Sequence, residues 1–198
     1  LHGNVYDAVV HEGRMLALTD FLTDVLLRES KETIAVYNLA SGVRFAKRSR
    51  ASSDDEPFAE PNRDKALQAL ERLVTTGTKT AAILEYAETL APAADTSFQT
   101  DADRASVVTL HRWSFLPEIE KGDNVVLLVT ENLPDLSPKL VANPKVGVVE
   151  IPMPDVEARR ATARIADSTL ADKDLDHYAA VTAGLKAIQI ASILAPPP

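Results

Sequence analysis

The sequence predicts an α/β fold: a three-layer α/β/α arrangement around a parallel sheet, followed by a small all-helical lid. Short apolar runs at residues 33–38, 80–86 and 125–129 alternate with longer amphipathic stretches, which is the rhythm of βαβ units. The run at 125–129 is continuous rather than alternating, as in a strand buried on both faces of a parallel sheet. After Pro152 and Pro154 the pattern is helical. We expect an N-terminal helical segment over residues 1–31, an α/β core over 32–154 and a helical lid over 155–198.

Each element has its own signal. Residues 16–30, LALTDFLTDVLLRES, put Leu16, Phe21, Leu22, Val25 and Leu26 on one helical face, with Leu18 partly on it. They predict a helix docked on the sheet. TIAVYN at 33–38 is the first clear strand, followed by a turn at Ser41-Gly42 and a few extended residues to Ala46. Residues 47–63 carry a basic cluster (Lys47, Arg48, Arg50) and then an acidic one (Asp54, Asp55, Glu56), which reads as a surface loop. Residues 64–75 form an amphipathic helix with Ala66, Leu67, Leu70, Leu73 and Val74 inward. A strand at 80–86 and a small-residue loop at 91–100 follow. Residues 101–119 predict one long helix, capped by Asp101 or Asp103 and ended by Pro117, with Val107, Val108, Leu110, Trp113 and Leu116 along it. The strand at 125–129 ends in the polar Thr130, Glu131 and Asn132, and a second strand is expected at 146–151. A helix at 155–166 and two short helices within 170–194, joined at Thr182-Ala183-Gly184, complete the chain.

Composition sets the limits. The chain has 198 residues, 45% apolar and 25% charged, with a net charge of −8. Such a surface repels phosphate backbones, so nucleic acid is disfavoured as a partner. With no cysteine, disulfides and thiolate metal sites are excluded, and a cytoplasmic setting is expected. No apolar run approaches the ~18–20 residues that span a bilayer, so no membrane partner is expected. Leu1 at the start and Pro196 to Pro198 at the end lead us to expect one module of a longer protein.

The order of motifs resembles an AAA+ ATPase module. The strand AAILEYAETL at 81–90 is similar to a Walker B segment, in which apolar residues precede Asp-Glu. The resemblance implies that Glu85 takes the position holding the Mg²⁺ shell and Glu88 a later acidic position. Tyr86 stands where the catalytic Glu would be, and Tyr is a poor base because its ordinary pKa is ~10. The other reading is a buried strand ending in exposed carboxylates. VVLLVTENLPDL resembles the sensor-1 strand, and the resemblance implies that Thr130 and Asn132 face a γ-phosphate, with Glu131 inserted between them. A capping turn after a strand is the alternative. In ANPKVG at 142–147, Lys145 is the only cation where the family places arginine fingers. IPMPDVEARR is similar to the passage from core to lid, with Asp155 capping a helix and Glu157, Arg159 and Arg160 towards solvent or the lid. Thr182 and Gly184 fit the turn between lid helices.

A P-loop needs G-x-x-x-x-G-K-[ST] after the first core strand. Here LASGVRFAK follows TIAVYN, with one glycine. Gly77-Thr78-Lys79-Thr80 lacks the upstream glycine and leads into a strand, so it reads as a turn. His2, His11, His111 and His177 are scattered, and no H-E-x-x-H, G-x-S-x-G or G-x-G-x-x-G occurs. The chain thus resembles the degenerate, P-loop-less N-terminal module of tandem AAA proteins. That implies a non-hydrolysing domain partnered by an active AAA module in the same chain or ring and acting on an unidentified protein client. No cofactor is expected in this domain, ATP and Mg²⁺ belonging to the parent. Two alternatives stand. One is a divergent working ATPase, with Glu85 on Mg²⁺ and amides around Ser41-Gly42 on phosphate. The other is a clamp-loader-like scaffold subunit.

Overall fold

The computed structural model describes residues 1–48, 62–95 and 97–195. Its strands are β1 (His2–Gly3), β2 (Ala8–His11), β3 (Arg14–Ala17), β4 (Thr33–Asn38), β5 (Gly42–Lys47), β6 (Thr80–Leu84), β7 (Val125–Leu128) and β8 (Glu150–Ile151). Its helices are α1 (Leu18–Phe21), α2 (Arg63–Thr76), α3 (Asp101–Trp113), α4 (Pro117–Lys121), α5 (Pro138–Val141), α6 (Val156–Ala166), α7 (Asp172–Val181) and α8 (Ala187–Leu194). Two compact units result: Leu1–Gly3 with Leu22–Glu150, and Asn4–Phe21 with Ile151–Pro198. Most of the loop expected at 47–63, including Arg50, Asp54, Asp55 and Glu56, lies outside the described residues, as do the terminal prolines. Among the described residues no helix is long and apolar enough to cross a membrane.

The first unit is built on a four-stranded sheet of order β5-β4-β6-β7. β4, β6 and β7 run parallel, as the sequence predicts, and β5 is antiparallel to β4. Ile34, Ala35, Val36 and Tyr37 of β4 and Ala81, Ala82, Ile83 and Leu84 of β6 are all buried, which explains their continuous apolar runs. On one face Ala35, Tyr37, Ala82 and Leu84 pack with Leu67, Leu70 and Val74 of α2 and Val107, Leu110 and Trp113 of α3. Alanines at the sheet surface let the larger helix side chains interdigitate with it. Each fully buried Leu or Val contributes roughly 1.5–3 kcal/mol.

Caps set the helix limits. Asn62 accepts from the Lys65 N–H at 3.0 Å to open α2. Thr100 and Asp103 form a reciprocal capping box at the start of α3. The single helix expected over 101–119 is two. A proline disfavours helical backbone in the residue before it, and Leu116 is extended at φ −77, ψ 113, before Pro117 opens α4. Across the helix pair, Glu71 of α2 accepts from Trp113 Nε1 at 2.8 Å and from Arg112. Burial pushes the Glu71 carboxyl up, but these two donors outweigh it and hold the group below its ordinary range.

Asn124 closes the end of the sheet where β6 and β7 begin. Its Oδ1 accepts from Thr80 N at 2.7 Å, and its Nδ2 donates to Val74 O at 2.8 Å and Gly77 O at 2.7 Å. One side chain thereby fixes the exit of α2, the start of β6 and the approach to β7. Gly77-Thr78-Lys79-Thr80 is the turn expected of it: Gly77 caps α2, Lys79 has φ +49 and Thr80 starts β6.

Two expectations about strands are corrected. Residues 125–128 are half-buried rather than enclosed on both faces, because β7 is an edge of the sheet. Of the strand expected at 146–151 only Glu150–Ile151 forms. Val149 O accepts from His2 N at 3.0 Å, and no described residue forms a strand ladder with 146–148.

The second unit holds a hairpin, β2 to β3, with α1, α6, α7 and α8. The helix expected over 16–30 is not continuous. Its first residues belong to β3, α1 spans Leu18–Phe21, and a π-helical turn at Leu22–Leu26 belongs to the first unit. The reason is the two-residue turn Glu12-Gly13, both at positive φ (47 and 73), between the paired His11 and Arg14. Two positive φ values match the twist of a tight hairpin. The helix pair expected within 170–194 is present as α7 and α8. The α8 start is held by Asp7, which is buried and accepts from Ala187 N at 2.8 Å, Ile188 N at 3.0 Å and Ala8 N at 2.8 Å.

Asn124→Ala should cost about 2–4 kcal/mol in urea unfolding, since it leaves three backbone groups without partners. Asn124→Asp should recover only the Thr80 bond. Asp103 offers a test by pH. The Thr100 hydroxyl and Arg63 guanidinium donate to it and lower its pKa from 3.8 to about 2. A depressed carboxylate stabilises the fold above its unfolded value and loses that contribution as pH falls through its folded one. Asp103→Asn should therefore flatten the dependence of the urea midpoint on pH between 3.8 and about 2.

Candidate functional site

Parallel strands present their carboxyl ends together, and open α/β sheets place ligands there. Here that edge comprises Asn38 at the end of β4, Glu85 to Glu88 after β6, and Val129 to Asn132 after β7. Cross-links hold the three ends in line. Glu85 N donates to Tyr37 O at 2.9 Å, Val129 N to Leu84 O at 2.9 Å, and Ala87 N to Val129 O at 2.9 Å.

Asn38 is the residue that sequence reasoning missed. Its Oδ1 accepts from Ala40 N at 3.1 Å and Ser41 N at 2.8 Å, and its Nδ2 donates to Glu85 Oε2 at 3.0 Å. Gly42 then takes φ +71 and the chain reverses into β5. An Asn before Ser-Gly is the signal that could have found it, because Asn side chains hydrogen-bond backbone amides two residues on. Its link to Glu85 spans 47 residues and is visible only in the fold.

The sequence-predicted residues fall into two groups. Glu85 sits at the strand end, tied to Asn38. Tyr86 adopts left-handed backbone, φ 53 and ψ 47, and its carbonyl accepts from the Thr89 amide and hydroxyl. Glu88 lies in the turn Ala87–Thr89, and its Oε2 is buried without a hydrogen-bond partner. Thr130 is buried at 2% exposure, and its hydroxyl donates to Asn132 O at 3.3 Å. Asn132 is exposed and donates to Asp135 Oδ2 at 3.0 Å, at the start of the turn Leu133–Asp135. The fold thus brings Glu85 to Asn38 and joins Thr130, Asn132 and Asp135 in a local turn. No described group of three or more His, Asp or Glu converges as a metal site would require.

Beyond this edge, the predicted caps take their places. Asp155 Oδ1 accepts from Ala158 N at 2.8 Å and opens α6. Arg159 donates to Ala179 O at 2.8 Å and Pro154 O at 2.7 Å, and Arg160 pairs with Asp172 and Asp176. Thr182 caps α7, with Gly184 at φ +84 two residues on. These contacts give the Pro-Asp-Arg and Thr-Gly signals structural roles within the second unit.

No curated protein matches this sequence. Residues 1–152 match the family described as AAA+ chaperone, N-terminal Rossmann-like domain. Those residues are most of the chain, and the parallel sheet with flanking helices is the fold that description names. The chain belongs to the family of AAA+ chaperone N-terminal Rossmann-like domains.

Proposed function

We propose that this chaperone module is P-loop-less and does not hydrolyse ATP. It serves in the assembly and regulation of an active ATPase module in the same polypeptide or ring. The observation that carries the reading is the turn after β4. A triphosphate cradle uses several free amides, a lysine and the opening of a helix. At this place the Ala40 and Ser41 amides already donate to Asn38 Oδ1, and the chain enters an antiparallel strand. Residues so arranged do not fit a triphosphate.

The other positions support the same reading. One oxygen of Glu85 already accepts from Asn38. Tyr86, 46% exposed, stands in the place of a catalytic carboxylate. Asn132 is engaged with Asp135, and Glu131 beside it would repel a γ-phosphate. What remains is a sheet whose surfaces are free to be shaped for partners, since function on a shared fold resides in its sites.

Calorimetric titration with ATP and Mg²⁺ tests the nucleotide half of the proposal. The expected result is no saturable binding at millimolar ATP. Micromolar binding that Glu85→Ala abolishes would establish a working nucleotide site and overturn it.

A further inference from the structure

We draw no further inference here: the strongest candidate, the uncharged outer face of α8 in the second unit, where Ile188 and Ile193 are 47% and 63% exposed, carries none because nothing in the structure shows what covers it.

Discussion

Asn38 stands at the carboxyl end of β4 with both halves of its amide engaged. The oxygen gathers the Ala40 and Ser41 N–H groups, and the nitrogen reaches Glu85 at the end of β6. The first contact reverses the chain, so that β5 lies antiparallel beside β4 and α2 carries the chain back to begin β6 parallel to β4. The second fixes the neighbouring strand end. Sheet order and the character of the candidate edge therefore share one cause. In a nucleotide-binding α/β fold this corner is where phosphate meets backbone amides. Here a side chain of the protein meets them instead.

A second asparagine does comparable work at the opposite end of the strands. Asn124 satisfies backbone groups from α2, the following turn and β6. Between the two lies an apolar interior with α2 and α3 against one face. A buried polar group costs little when its partners are in place and much when one is removed. That asymmetry puts the critical polar contacts at the two ends of the sheet, where strands must start and stop. β7, by contrast, is the edge strand of the four-stranded sheet.

Much of this was legible in the residues. The buried strands β4 and β6 are short apolar runs with no helical period, α2, α3 and the tail helices carry helical periodicity, and α2 and α3 open on side-chain caps. What escaped depends on distance or on competition between signals. The hairpin β2–β3 turns on Glu12-Gly13, which lacks the Asn or Asp that usually marks such a turn, and the leucines beyond it suggested a helix running through. The edge position of β7 is a matter of pairing, which no local pattern encodes. At the candidate site Glu85, Glu88, Thr130 and Asn132 could be named from motif order. Their actual partners, Asn38 at 47 residues' distance and Asp135, came only with the fold.

The central proposal is that the corner after β4, where the Ala40 and Ser41 amides donate to Asn38, does not bind phosphate. Amide chemical shifts of Ala40, Ser41 and Gly42, followed as millimolar ATP and Mg²⁺ are added, test it most directly. The account predicts that these three amides stay where they are. Saturable shifts confined to them, with loss of the Asn38 side-chain amide contact to Glu85, would contradict it.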